Sequence, residues 1–127
     1  MYINYQWNQR YDSKSPEFLE MPLERILQYE LEAKFTIESD DGQVFSEDFV
    51  PIYLITSALK NSKLDLVEID LEGWSCNPFL IIEKQGSRMK IKNDFIDFEC
   101  NQEDYVVETE QFIYLVEKEI REMGFKI

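Results

Sequence analysis

Ser57 and Lys60 have the spacing of a serine nucleophile and the lysine amine that activates it. On a helix, residues at i and i+3 lie on one face, so the hydroxyl and the amine would be neighbours. Enzymes that use this pair also need partner motifs to complete the site, and neither Ser-Asp-Asn nor Lys-Thr-Gly occurs in the chain. We therefore interpret the pair as a chance spacing on the solvated edge of a helix.

The chain contains no histidine, which removes the commonest general base at neutral pH. Neither a Ser-His nor a Cys-His pair can form. Cys76 and Cys100 form no CxxC motif and cannot supply the ligand set of a zinc site, so the sequence predicts reduced, partly buried thiols. Catalysis by carboxyl groups stays open, and it would require a deep pocket lined by two carboxyl groups with raised pKa values.

The segment from Ser39 to Gly42, followed by Asp48, partly matches a calcium-binding loop. Aligning Gly42 with the loop glycine places Ile37 and Ser39 at the first ligand positions, where carboxylates are needed. The same segment suits a hairpin turn, because Asp-Gly tolerates positive φ angles. The sequence therefore predicts a turn here, and it indicates no metal ion and no cofactor.

The composition is strongly acidic, since 26 acidic and 13 basic residues give the 127-residue chain a net charge of -13. This charge repels nucleic-acid phosphates and anionic lipid, and it accelerates encounter with a positively charged protein surface. Length and aromatic content predict one folded α+β domain over residues 1–127. Neither a targeting segment nor a membrane-length apolar run is visible, so we expect a cytoplasmic protein. From the charge we expect that it binds a basic protein partner, and that it binds neither nucleic acid nor a membrane. No pattern indicates the oligomeric state.

The strand pattern is clearest from Leu27 to Ile37, where apolar and polar residues alternate without a break. This alternation predicts a long strand with one face on a core, and Asp41-Gly42 predicts the hairpin turn after it. Other strands are predicted at residues 3–7, 43–45, 67–71, 78–83, 89–92 and 95–100.

Helical spacing predicts two helices. The first covers residues 49–60, with Pro51 in its first turn, and the second covers residues 112–123 and ends at Gly124. Residues 104–108 suit either a strand or the start of the second helix. The order of elements predicts an α+β fold, a meandering antiparallel sheet of about five to seven strands with two helices packed on one face.

Three stretches contain acidic residues and no Lys or Arg: residues 38–48, 65–72 and 94–117. Such a stretch is either a solvated face that keeps the domain soluble or a face that docks a basic partner. On the second interpretation, the predicted docking carboxylates are Asp40, Asp41, Glu47, Asp48, Asp65, Glu68, Asp70 and Glu72.

Trp74 is the predicted interface anchor, because Trp and Tyr dominate binding hot spots. Phe79 is its candidate neighbour in that role, and core packing is the alternative for both residues. The basic residues Lys84, Arg88, Lys90 and Lys92 gather on one predicted hairpin, so we expect a polarised molecule.

Four segments in order carry a resemblance to a known family. They are Tyr29-Glu30-Leu31-Glu32-Ala33-Lys34-Phe35, Phe45-Ser46-Glu47-Asp48-Phe49-Val50-Pro51, Asn77-Pro78-Phe79-Leu80, and Phe98-Glu99 before a C-terminal amphipathic helix. Over roughly residues 25 to 123, the chain resembles an uncharacterised family of small acidic proteins from Firmicutes. The resemblance implies an α+β fold and a role beside secreted polymorphic toxins, as an immunity protein or a relative of one. It implies no catalytic residues.

Taken together, these features predict a non-enzymatic acidic binding protein that masks a basic surface of a protein partner, and the form we favour is a toxin-neutralising immunity protein. The first alternative is a regulatory protein that mimics nucleic-acid charge and blocks a DNA- or RNA-binding site. The second alternative is a carboxylate-based enzyme.

Overall fold

The structure, a computed structural model, describes residues 1–60, 66–71 and 76–127. The described strands are β1 (Tyr2–Trp7), β2 (Glu32–Glu38), β3 (Val44–Pro51), β4 (Leu66–Ile69), β5 (Leu80–Gln85), β6 (Arg88–Lys92) and β7 (Asp97–Asn101). The α-helices are α1 (Leu23–Arg25), α2 (Ile52–Lys60) and α3 (Gln102–Glu122). Two shorter segments are the 3-10 turn Pro16–Phe18 and the π-helical segment Ile26–Glu30. The fold is α+β with antiparallel sheets, as predicted.

Sheet A is the three-stranded antiparallel sheet β1-β2-β3. In its central strand, Ala33, Phe35 and Ile37 are buried, whereas the residues between them are more exposed. The register continues this inner face into both neighbours, since Ile37 lies opposite Ile3 on one side and Phe45 on the other. The opposite face of sheet A is largely polar and faces water, which is the usual arrangement for an antiparallel sheet.

Sheet B is the four-stranded antiparallel sheet β4-β5-β6-β7. Val67, Ile82, Ile91 and Phe98 form one row across all four strands. The last three of these side chains are buried. Each sheet therefore supplies one apolar face, and the buried residues of both sheets form one contiguous core.

A chain of ten aromatic rings runs through this core. Neighbouring ring centroids lie 5.3 to 6.4 Å apart, and most pairs meet edge to face. In spatial order the rings are Phe125, Phe18, Tyr11, Trp7, Tyr5, Phe112, Phe35, Phe79, Phe45 and Phe95. Phe79 is fully buried and contacts two rings of sheet A, those of Phe35 and Phe45. It is therefore a core residue and not an exposed interface anchor.

Helix α3 spans both sheets. Its buried stripe consists of Tyr105, Thr109, Phe112, Val116 and Ile120. The helix contacts β1 of sheet A, β6 and β7 of sheet B, and the helix α2. It therefore packs against strands of both sheets.

The strand predicted from Leu27 is wrong in its first part, because β2 begins only at Glu32. Leu27 and Leu31 are both buried, while Tyr29 between them is 64% exposed. A helical turn also brings residues four positions apart to one face, so this spacing does not discriminate between strand and helix. The chain enters this segment through Pro22, whose restricted φ suits a helix start.

The prediction of one meandering sheet is also wrong. The meander holds within each sheet, but β3 and β4 belong to different sheets. Helix α2 lies between these two strands in the chain and packs against α3, so the connection leaves sheet A before β4 pairs with β5.

The two predicted helices start elsewhere. Helix α2 begins at Ile52, because Pro51 still pairs with Glu32 as the last residue of β3. Helix α3 already begins at Gln102, so the ambiguous residues 104–108 are helical. The reason lies at its start, where the side chain of Asn101 accepts the N–H of the third helical residue and caps the helix.

Candidate functional site

The turn between β2 and β3 is held by its own side chains. The N–H of Ser39 donates to the carbonyl of Gln43 at 2.9 Å, and the hydroxyl of Ser39 accepts the N–H of Gln43 at 2.9 Å. The same hydroxyl donates to the carboxylate of Asp41. Gly42 has a φ of 90°, a backbone conformation that glycine adopts at little cost. These hydrogen bonds fix the backbone of the turn that carries Asp40, whose side chain is 88% exposed.

The turn between β6 and β7 is organised by Asn93. Its Oδ1 accepts the N–H groups of Phe95 and Ile96 at 2.7 and 3.0 Å, and its Nδ2 donates to the carbonyl of Phe79 at 3.1 Å. The ring of Phe95 is 61% exposed. It stacks on the ring of Phe45 with a centroid separation of 5.8 Å and an interplanar angle of 16°. An aromatic side chain is therefore presented to solvent from a fixed position.

These two turns come from different sheets and touch. The N–H of Asp97 donates to Oε1 of Gln43 at 2.9 Å. The strand registers place the end of β4, the end of β6 and the start of β7 at one end of sheet B, so Asp70, which follows β4, lies at this end too. We give the name acidic pole to the exposed aspartates of these two touching turns together with Asp70: Asp40, Asp41, Asp70, Asp94 and Asp97.

Two members of the acidic pole have a cationic partner. Asp40 accepts a hydrogen bond from the α-amino group of Met1 at 2.9 Å, and Asp97 lies 3.6 Å from the Nζ atom of Lys90. Within residues 1–60, 66–71 and 76–127, no ion pair is formed by Asp41, Asp70 or Asp94. The acidic pole therefore keeps a net negative charge that is open to solvent.

The hydrogen bond from Ser39, followed by that from Gln43, lowers the pKa of Asp41 below its ordinary value. A carboxylate that accepts hydrogen bonds is favoured in its charged form. The charge of Asp41 therefore persists to a lower pH than that of an ordinary aspartate.

The predicted docking carboxylates are spread over more than one surface. The structure brings Asp40, Asp41 and Asp70 to the acidic pole. Asp48 lies farther along β3, about 13 Å from the strand's start at roughly 3.3 Å per residue. Glu47 is half-buried opposite Phe35, and Glu68 is exposed on the outer face of β4. Asp65, Glu72 and Trp74 lie outside the described residues, and their roles stay predictions.

Sequence reasoning missed Asp94, Phe95 and Asp97. All three lie in the acidic stretch 94–117, but the predicted strand at residues 95–100 gave no reason to expect an exposed aromatic ring at Phe95. The available signal was Asn93-Asp94, because an Asn that bonds the backbone two residues on is typical of a turn, and a residue at a turn tip is exposed.

The predicted basic hairpin is partly neutralised by its neighbour. Nε of Arg88 donates to Glu99 at 3.2 Å, and Lys90 pairs with Asp97, so β7 supplies carboxylates to β6. The hairpin therefore does not form an isolated basic surface opposite the acidic ones.

Lys60, the lysine of the Ser-x-x-Lys spacing, forms hydrogen bonds with a carboxylate of helix α3. Its Nζ atom donates to both carboxylate oxygens of Glu117, each at 3.2 Å. These hydrogen bonds direct the Lys60 amine toward α3, whereas activation of the Ser57 hydroxyl would need the amine beside that hydroxyl. The geometry therefore favours a structural role for Lys60, which ties α2 to α3.

Other chemistry-bearing groups in the described residues are few. Burial, followed by the charge of Glu30, raises the pKa of Glu32. Cys76 and Cys100 are both buried, and burial raises the pKa of the Cys100 thiol. Groups of three or more acidic or cysteine side chains suited to a metal ion do not occur in the described part.

No helix among the described residues has both the length and the apolar character needed to cross a membrane. No protein-family model matches the chain, and comparison with curated proteins and with solved structures found no similar protein.

Proposed function

We propose that this protein is a non-enzymatic acidic binding protein that docks its acidic pole onto a basic surface of another protein and masks that surface. The observation that carries the proposal is the contact between two turns of different sheets, through Gln43 and Asp97. This contact gathers exposed aspartates beside the exposed ring of Phe95. A charged rim beside an aromatic side chain is the usual anatomy of a binding hot spot.

The physical basis is electrostatic steering followed by local contacts. A net charge of -13 accelerates encounter with a cationic partner, and the acidic pole directs the encounter to the surface formed by the two touching turns. After encounter, charge-assisted hydrogen bonds to Lys or Arg and burial of Phe95 set the lifetime of the complex. Because both turns are internally hydrogen-bonded, little ordering is needed on binding.

The partner class that we favour is a toxin domain with a basic surface, so that the protein acts as an immunity protein. The resemblance to an uncharacterised family of small acidic proteins from Firmicutes implies a role beside polymorphic toxins and supports this choice, and the strong acidity agrees with it. A basic enzyme that acts on nucleic acid is a natural target, since its substrate site attracts carboxylates as well as phosphates.

The test compares three forms of the chain as bait in lysate of the native host. The pole variant carries Asp40→Asn, Asp41→Asn, Asp94→Asn and Asp97→Asn. The control variant carries Glu17→Gln, Glu20→Gln, Glu24→Gln and Glu110→Gln, four exposed carboxylates outside the pole. Both variants have the same net charge, so any difference between them reflects the location of the charge. Circular dichroism verifies that each variant is folded.

We expect one basic protein to be retained by the wild type and the control variant, and to bind the pole variant at least tenfold more weakly. Its association rate with the wild type is expected to fall at least tenfold between 50 and 500 mM salt, where the Debye length shrinks from about 14 to about 4 Å. Equal retention by all three forms would refute the assignment to the acidic pole.

Two further measurements separate the functional alternatives. Co-expression that protects cells from the retained protein supports an immunity role. Displacement of the chain by duplex DNA or RNA shows that the masked surface is a nucleic-acid site, and this outcome supports the charge-mimic alternative.

A further inference from the structure

Phe49 has a left-handed backbone with a φ of 57°, and it is the only described residue other than glycine with a positive φ. It lies in a β-bulge of sheet A. The register shifts between Ala33 and Phe35, so that two residues of β3, Asp48 and Phe49, lie opposite Lys34 alone. A left-handed conformation is uncommon for a bulky side chain, because the Cβ atom crowds the backbone.

The bulge itself has a structural reason. It returns Val50, which is fully buried, to the core face of β3. The N–H of Phe49 donates to Oδ1 of Asn8 at 3.0 Å, and this bond holds the bulged backbone from the far side of β2. Glycine at this position would make the same hydrogen bond without steric strain. Core packing therefore explains the left-handed backbone but not the aromatic side chain.

Burial of the Phe49 ring does not offset the free-energy cost of the left-handed backbone, since the residue is 58% exposed. Strained residues persist where the surrounding structure holds them, and they concentrate at binding and active sites. Phe49 is strained, exposed and held by a backbone hydrogen bond to Asn8. A contact between its ring and another molecule explains this combination best.

The position of Phe49 connects it to the acidic pole. β3 is an edge strand of sheet A, and its exposed residues between the pole and Phe49 are Val44, Ser46 and Asp48. Val44 and Phe49 are about 17 Å apart along the strand at roughly 3.3 Å per residue. An interface of standard size buries about 800 Å² per partner, a patch roughly 30 Å across. One partner can therefore cover both ends of β3.

We infer that Phe49 is a second aromatic anchor for the partner that the acidic pole attracts, so that the basic partner lies along the exposed row of β3 from Asp41 to Phe49. This inference rests on the proposed function and adds to it the direction and extent of the docking surface. The occupant is a basic protein, because Asp41 at one end of the row and Asp48 at the other are exposed carboxylates.

The first experiment places the photo-crosslinking residue p-benzoylphenylalanine at Phe49, at Phe95 or, as a control, at exposed Tyr114 of α3, in cells of the native host. We expect the same basic protein to crosslink from Phe49 and from Phe95, and not from Tyr114. Crosslinking from Phe95 alone would overturn this inference and leave the proposed function standing. Crosslinking from neither phenylalanine would overturn both.

The second experiment compares Phe49→Gly with Phe49→Ala. Both variants lack the ring, so both are expected to bind the crosslinked protein at least tenfold more weakly than the wild type. Only glycine removes the strain, so its folding equilibrium constant is expected to exceed that of the alanine variant by about fivefold. Wild-type affinity in either variant would overturn the anchor role, and equal stability of the two variants would overturn the strain argument.

Discussion

Oε1 of Gln43 accepts the backbone N–H of Asp97 at 2.9 Å, and this hydrogen bond joins two residues that are 54 positions apart and belong to different sheets. It holds the turn that carries Asp40 and Asp41 against the turn that carries Phe95. This side-chain amide and the stacking of Phe95 on Phe45 together fix one turn against the other.

The substitution Gln43→Met keeps the length of the side chain but removes the acceptor of the Asp97 N–H and the exposed hydrogen bond that Nε2 donates to Asp41. We expect the free energy of unfolding to fall by about 1 kcal/mol, mainly through the loss of the bond to Asp97, and the amide of Asp97 to exchange with solvent faster. Urea unfolding and hydrogen exchange measure these effects. Gln28→Met is the matched control, because the Gln28 amide bonds Glu24 on the same local segment. An unchanged Asp97 exchange rate would contradict the bridging role.

The substitution Asn93→Ala removes three hydrogen bonds that position Phe95. We expect a loss of about 2 kcal/mol in the free energy of unfolding, because two backbone N–H groups lose their acceptor and the carbonyl of Phe79 keeps only the weak donor Sγ of Cys76. Partner affinity is expected to fall as well, since the ring of Phe95 is no longer held. Asn4→Ala, on the exposed face of β1, is the control and is expected to change stability by less than about 0.5 kcal/mol.

The cap of α3 provides a third prediction. Oδ1 of Asn101 accepts the N–H of Asp104 at 2.7 Å, so Asn101→Ala is expected to lower the free energy of unfolding by about 1 kcal/mol. Asn101→Asp keeps an acceptor at the same place and is expected to retain most of that stability. Thermal or urea unfolding of the two variants tests the cap, and equal destabilisation by Ala and Asp would speak against it.

The pH dependence of stability tests the environment of Tyr5. Burial, followed by the neighbouring carboxylate of Glu119, raises the pKa of Tyr5 above its ordinary value of 10.0. The unfolded chain therefore loses this proton first as the pH rises. Stability from this group is complete below pH 10 and decreases as the pH rises from there toward the folded-state pKa.

Tyr5→Phe isolates this effect. The hydroxyl of Tyr5 is buried beside the carboxylate of Glu119 and has no well-formed hydrogen bond among the described residues, so its removal is expected to change stability near pH 7 by less than about 1 kcal/mol. Above pH 10, the variant is expected to lose stability less steeply than the wild type. Urea unfolding from pH 7 to 11 measures both slopes, and parallel slopes would contradict the raised pKa.

Several local features follow from the sequence alone. The alternation of Ala33, Phe35 and Ile37 with polar neighbours predicts the inner face of β2, and the structure confirms it. The Asp41-Gly42 turn is confirmed by the positive φ of Gly42. Each of these patterns acts over a few residues, where side-chain periodicity and backbone sterics suffice to select the conformation.

The candidate site needed the tertiary structure. The aspartates of the acidic pole come from segments that are far apart in the chain. Apart from the Asn93-Asp94 turn signal, the local pattern does not distinguish Phe95, which is exposed, from Phe98, which is buried. The start of β2 was missed for a related reason, because the spacing of Leu27 and Leu31 fits a helical turn as well as a strand.

By itself, the sequence determined the strong negative charge, the antiparallel α+β class and the faces of its clearest strand and longest helix, because composition and short-range periodicity contain that information. Only the tertiary structure decided that the strands divide into two sheets, that two distant turns meet through Gln43 and Asp97, and that Phe49 is held at a positive φ. These features depend on registers and contacts between segments many residues apart, which the packing of one shared core selects.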